Sequence, residues 1–175
     1  MRIIASPVVI TIFMAISLPW PTYAADVTIY ISGDIIASSC TLENNGIHSI
    51  NLGQNIPSQK LSEASSYSDW KKFNVTLRDC PTGTSKVTAH FSGPIDSIDN
   101  KLYANISQPD NSRNVAIELQ RVTGSVNAGN GQSLSVNVDS NNSATFDMQA
   151  RLYSTTGGAT AGNISSMVIM NFTYN

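Results

Sequence analysis

Apolar and polar residues alternate with a period of two along almost the whole of this chain, and no stretch keeps a 3.6-residue rhythm. Successive side chains of an extended strand point to opposite faces, so this pattern commits the chain to β-sheet with one face buried. Val27, Ile29, Ile31, Gly33 and Ile35 alternate with Thr28, Tyr30, Ser32 and Asp34 in a long first strand. Short strands are expected around Ser38–Leu42 and Ile47–Leu52. Residues 53–69, rich in Ser, Gln, Asn and Pro, predict a loop with at most a helical turn near Leu61–Ala64. Phe73, Val75 and Leu77, then the turn Asp79-Cys80-Pro81-Thr82-Gly83, then Val87, Ala89 and Phe91 predict a hairpin. Cys80 is out of phase with the strand before it, which requires either a bulge or a place just past the strand end.

Residues 93–113 hold Pro, Asp and Asn in quantity and predict an irregular crossover. The remaining strands are predicted at Val115, Ile117 and Leu119, at Leu134, Val136 and Val138, along Ala144 to Leu152, and from Ile164 through Val168, Met170, Phe172 and Tyr174. Turn signals at 124–131 and Gly157-Gly158 separate them. Many short strands at this spacing predict an all-β chain of the immunoglobulin-like sandwich type. Trp70, in the loop before a strand, is expected to pack over one end of the sandwich, with stacking on a sugar as the less ordinary use of such a ring.

The amino terminus reads as an export signal. Met1-Arg2 is followed by an apolar run from Ile3 through Leu18 and by Pro19-Trp20-Pro21-Thr22-Tyr23-Ala24-Ala25. A basic start, an apolar middle and a small-residue site predict cleavage. Cutting after Ala24 leaves Thr22 and Ala24 at the two small positions, so residues 1–24 are assigned to the signal peptide. The apolar run is short for a retained membrane span, and no later stretch approaches the roughly 20 residues a span requires. Removing 24 of 175 residues leaves 151, enough for one domain with a core and too few for a second sizeable one. Of the 10 basic residues only Arg2 is lost, so 9 face 12 acidic ones for a net charge of −3. Nothing in that balance points to nucleic acid or an anionic membrane as a partner.

Cys40 and Cys80 are the only cysteines, and export sends them to an oxidising compartment, where a disulfide is the default and two free buried thiols the alternative. Neither His48 nor His90 stands at ligand spacing from a cysteine, so no metal site is expected. The chain has no Gly-x-Ser-x-Gly elbow, phosphate loop or His-Glu-x-x-His, and Asp96 and Asp99 read as a solvated turn; neither catalysis nor a cofactor is expected.

Taken in order, Ala25-Asp26-Val27-Thr28-Ile29 with Gly33, Cys40-Thr41, Asn51-Leu52-Gly53, Leu77-Arg78-Asp79-Cys80-Pro81-Thr82-Gly83-Thr84-Ser85, Val87-Thr88-Ala89, Phe91-Ser92-Gly93 and the closing Phe172-Thr173-Tyr174-Asn175 resemble the minor subunits of type 1 fimbriae. The resemblance spans essentially the whole mature chain and is nearest to the small adaptor subunits of the fibrillar tip. It implies a sandwich lacking its seventh strand, with a groove that a periplasmic pilus chaperone fills first. At the outer-membrane usher, a neighbouring subunit's amino-terminal extension then takes its place, a known form of β-strand addition.

On this reading residues 25–36 are the donor extension and 37–175 the pilin domain. The donor face is Val27, Ile29, Ile31 and Ile35, with Gly33 where the neighbour's core comes close. Burying four such side chains is worth on the order of 6 to 12 kcal/mol gross, before ordering costs. Alternation by itself leaves open whether this strand pairs within its own domain; the resemblance implies that it does not. Val168, Met170, Phe172 and Tyr174 share one face of the last strand and are implied to border the groove, with Tyr174 a contact for the chaperone. The alternative use of such a domain is as a receptor- or glycan-binding adhesin module. A two-domain tip adhesin, however, needs about twice this length and no donor strand of its own.

Overall fold

The computed structural model describes residues 28–32 and 39–175. The chain divides into two compact units, Met1–Ile35 and Ile36–Asn175. In the first, residues 28–32 adopt no regular element, and Ile29 and Ile31 are 77% and 92% exposed. The signal residues 1–24 and Val27, Gly33 and Ile35 lie outside the described residues.

The second unit is a two-layer β-sandwich. One sheet holds β1 (Thr41–Leu42), β3 (Lys71–Arg78), β8 (Ala144–Ser154), β6 (Ala116–Arg121) and β5 (Tyr103–Ala104) in that spatial order, with β2 (Ser66–Tyr67) paired to the far end of β8. The other holds β7 (Ser133–Asn137), β4 (Lys86–Ser92) and β9 (Ile169–Tyr174). Every ladder between these strands is antiparallel. The alternation read from the sequence becomes the interior: Val75, Leu77, Leu119, Phe146, Met148 and Leu152 of the larger sheet face Val87, Ala89, Phe91 and Leu134 of the smaller one, all buried. Antiparallel sheets with one solvated face produce this two-residue rhythm.

Several expectations need correction. The predicted hairpin between Phe73–Leu77 and Val87–Phe91 does not form: β3 pairs with β1 and β8, whereas β4 pairs with β7 and β9. Residues 79–85 cross from one sheet to the other, so the two apolar faces meet across the core instead of lying side by side. Asp79 turns the chain with a positive φ of 52°, and Cys80 follows just past the strand end, its N–H donating to the Asn142 carbonyl at 2.9 Å. No bulge is needed. Ile47–Leu52 is not a strand, and the helical turn falls at Ser58–Leu61, slightly upstream of its expected place.

Trp70 does not cap the end of the sandwich. Its ring lies 4.1 Å from Arg151 Cζ on the outer face of the larger sheet, and Tyr67 covers the guanidinium from 3.7 Å. Arg151 Nε also donates to Glu118 Oε2 at 2.7 Å, with 13% and 18% of the two side chains exposed. A cation sheltered by rings and paired with a carboxylate holds β2 and β6 to β8 from outside, through cation–π and charge-assisted contacts.

Candidate functional site

The three-stranded sheet is too narrow to cover the inner face of its larger partner. β9 pairs along one edge with β4, from Val87↔Tyr174 to Ser92↔Ile169, and ends the order of its sheet. Its other edge carries no ladder among the described residues. Residues 47–56, which form no helix or strand, line the same cavity as β9. Between these flanks lies a groove of about 1180 Å³. Its floor is apolar: Phe73 and Val75 from β3, Ile117 and Leu119 from β6, and Ala150 and Leu152 from β8. Its walls are Leu42, Ile50, Leu52 and Ile56 on one side and Ile164, Val168, Met170 and Phe172 on the other.

The sequence explains why both flanks exist without pairing each other. Ile47–Leu52 has strand-like alternation, but among the described residues no strand lies beside it to complete a ladder. An edge strand with bare N–H and C=O groups, next to an open apolar trough, is a template for an added strand. β-Strand addition in general uses two such features together, main-chain bonds along a sheet edge and pockets for alternate side chains.

The disulfide fixes the far flank. Cys40 and Cys80 are bonded and buried. They tie the start of β1 to the turn after β3, beside the pairs Thr41↔Arg78 and Leu42↔Leu77.

The four residues expected to border the groove do not share one environment. Met170 and Phe172 lie on the inward side of β9 and Val168 just before it; all three line the groove and pack half-buried on the core. The Phe172 ring stands 5.7 Å from Phe146, tilted by 50°, within the centroid separation of favourable aromatic pairs. Tyr174 packs half-buried against the core opposite Val87 and is not among the groove-lining residues. Burial raises its phenol above the usual tyrosine value. The terminal residue is held beside it, where the Asn175 carbonyl oxygen accepts the N–H groups of Ser85 at 2.6 Å and Lys86 at 2.9 Å. Of the donor-face residues, only Ile29 and Ile31 are described, and both are exposed.

Two groove residues escaped the sequence reading. His48 Nε2 and Ser166 Oγ are buried atoms without a hydrogen-bond partner among the described residues, and both side chains line the trough. His48 drew notice only as a possible metal ligand. The available signal was its place in the alternating run 47–52, which puts a polar ring on a flank of the groove.

A family model described as "Fimbrial protein" matches residues 29–175. The chain belongs to the fimbrial protein family. Among curated relatives, FimG of Escherichia coli strain K12 is 37% identical over 152 residues, covering 86% of each chain. The S-fimbrial adhesin protein SfaS of Escherichia coli O6:K15:H31 is 36% identical over 153 residues, again with 86% of each covered. A subunit from a solved chaperone-usher pilus superposes with a TM-score of 0.64 at 19% identity, over 89% of this chain and 99% of that one. At that identity the superposition speaks for the fold, an immunoglobulin-like pilin sandwich. This fimbrial subunit is a cell-surface protein of the fimbria.

Proposed function

We propose that this fimbrial subunit is a minor adaptor that polymerises by donor-strand exchange: its groove receives a neighbour's extension while its own residues 25–36 fill the groove of the next subunit. One observation carries this reading. Among the described residues the outer edge of β9 pairs with no strand and lies beside an apolar trough floored by core residues, which supports a strand supplied by another subunit. Val27, Ile29, Ile31 and Ile35 are the side chains that enter the neighbour's trough, and Gly33 is the point of closest approach. Residues 1–24 are removed on export, and 37–175 form the pilin domain. Before assembly a periplasmic chaperone occupies the groove, with Val168, Met170 and Phe172 along the contact and Tyr174 at its end. The outer-membrane usher is where the exchange takes place. The role is mechanical and non-catalytic.

A second reading, an adhesin module, draws on the likeness to SfaS. The two part in one experiment, in which the mature chain is expressed with and without residues 25–36, alone and with its chaperone. Strand exchange predicts a chain soluble as a one-to-one chaperone complex, which a donor peptide converts to a far more heat-stable form. A lone monomer that loses its stability when residues 25–36 are removed would mean the first strand is internal, and the binding-module reading would stand.

A further inference from the structure

We propose that one end of the sandwich, an apolar patch formed by Ile95, Ile106, Met167 and Ile169, docks the globular body of the fimbrial subunit whose strand fills the groove. This rests on the strand-exchange reading and adds a second contact to it. The four side chains are 44% to 61% exposed. They come from three separate stretches of chain that converge. Ile169 pairs with Ser92, and a Cβ on Gly93 would stand 2.7 Å from the Met167 carbonyl. Ile95 bridges Tyr103, and the Ile106 N–H donates to the Ser165 carbonyl at 2.8 Å. Met167 and Ile169 also line the groove, so the patch is continuous with it. The opposite end of β9 is polar, with Asn175 held by Ser85 and Lys86, and Asn137 paired to Lys86. Exposed apolar residues gathered at one end of a domain mark a contact surface, whereas scattered ones do not.

The length of the donor's connection identifies the occupant. Only residues 36–39 separate Ile35 from Cys40, and Cys40 is already buried in its domain. Five Cα steps of 3.8 Å reach at most about 19 Å. The donor's body must therefore abut whichever end of the groove its strand leaves by. Every ladder of the sandwich is antiparallel, and antiparallel pairing is the more stable per residue. An antiparallel donor beside β9 has its residue-35 end next to Met167 and Ile169, which sets the body on the apolar end.

The test compares two donors on one acceptor. The acceptor is the mature chain, either unchanged or as Ile95→Asp/Ile106→Asp; neither residue lines the groove. The donors are a synthetic peptide of residues 25–36 and a whole second copy of the chain. The expected result is unchanged peptide affinity, within about twofold, and a loss of at least about tenfold for the whole subunit, which corresponds to 1.4 kcal/mol. Ile95→Ser/Ile106→Ser repeats the comparison with a milder change, and circular dichroism checks that each acceptor is folded. Equal losses for both donors, or none for either, would overturn the docking surface. Parallel insertion would give the second of these outcomes. An unchanged chain that binds neither donor would instead remove the strand-exchange reading itself.

Discussion

Phe172 offers a prediction that separates a groove awaiting a strand from an ordinary surface cleft. In the free subunit its ring touches Phe146 at 5.7 Å and packs half-buried on the core, with its remaining face toward the groove. Truncating a fully buried Phe to Ala costs about 3–5 kcal/mol. A half-buried ring forfeits about half of that, so Phe172→Ala should destabilise the free subunit by about 1.5–2.5 kcal/mol. A donor strand in the groove completes the burial, and the full cost then applies. The difference, again about 1.5–2.5 kcal/mol, must appear as weaker peptide binding, roughly 10- to 70-fold. Phe146→Ala is the control: that ring is fully buried already, so its cost should be about the same with and without peptide. Urea denaturation in the two states and calorimetric titration with the 25–36 peptide measure both sides of the cycle. A Phe172→Ala cost that is equal in the two states, with unchanged peptide affinity, would refute the reasoning.

Other features of the sandwich yield independent expectations. Replacing Cys40 and Cys80 together by Ser opens a loop closed over a sequence separation of 40, and a loss of about 4 kcal/mol in urea is expected; a loss below about 1 kcal/mol would mean that the ladder alone fixes β1. Arg151→Ala removes a guanidinium held between Tyr67 and Trp70 and paired with Glu118. It should cost about 2–3 kcal/mol, less than a fully buried pair because the site keeps some exposure; a change within about 0.5 kcal/mol would show the cluster to be ornamental. Burial raises the phenols of Tyr103 and Tyr174 above the usual value. Their stabilising contribution is fully present below the unfolded tyrosine value near 10 and is lost as pH rises through the folded values. The urea midpoint should thus show no tyrosine-driven change from pH 7 to 9 and fall above about 10, with Tyr103→Phe flattening that fall; an unaltered alkaline slope in the variant would contradict the assignment.

Alternation specified which residues are inside, and for β6, β7, β8 and β9 it also located the strands to within a few residues. It says nothing about partners. Val75 and Val87 both point inward, and that fact is compatible with neighbours in one sheet or with facing strands in two. The sequence reading chose the hairpin, whereas a sandwich needs the crossover. Ile47–Leu52 failed for the opposite reason: its local pattern is that of a strand, but a strand exists only with a ladder, and among the described residues it lines the groove without one. Trp70 was misplaced because its main partner, Arg151, lies far away in sequence and meets it only after β2 and β8 pair. The disulfide was legible because export and a count of two cysteines leave few choices. Phase put Val168, Met170, Phe172 and Tyr174 on one face and only the family resemblance implied a groove beside them; the first three line the trough, whereas Tyr174 lies outside it.

The central claim is that β9 carries an edge reserved for another chain's strand. Amide hydrogen exchange along Ile169–Tyr174, in the mature chain with and without the 25–36 peptide, tests it at the backbone. In an antiparallel strand about half of the N–H groups face each neighbour. The account predicts that the set facing β4 is protected in both samples, and that the set facing the groove exchanges freely alone and slows by at least about tenfold when the peptide is bound. Full protection of both sets without peptide, or no change on adding it, would contradict the account.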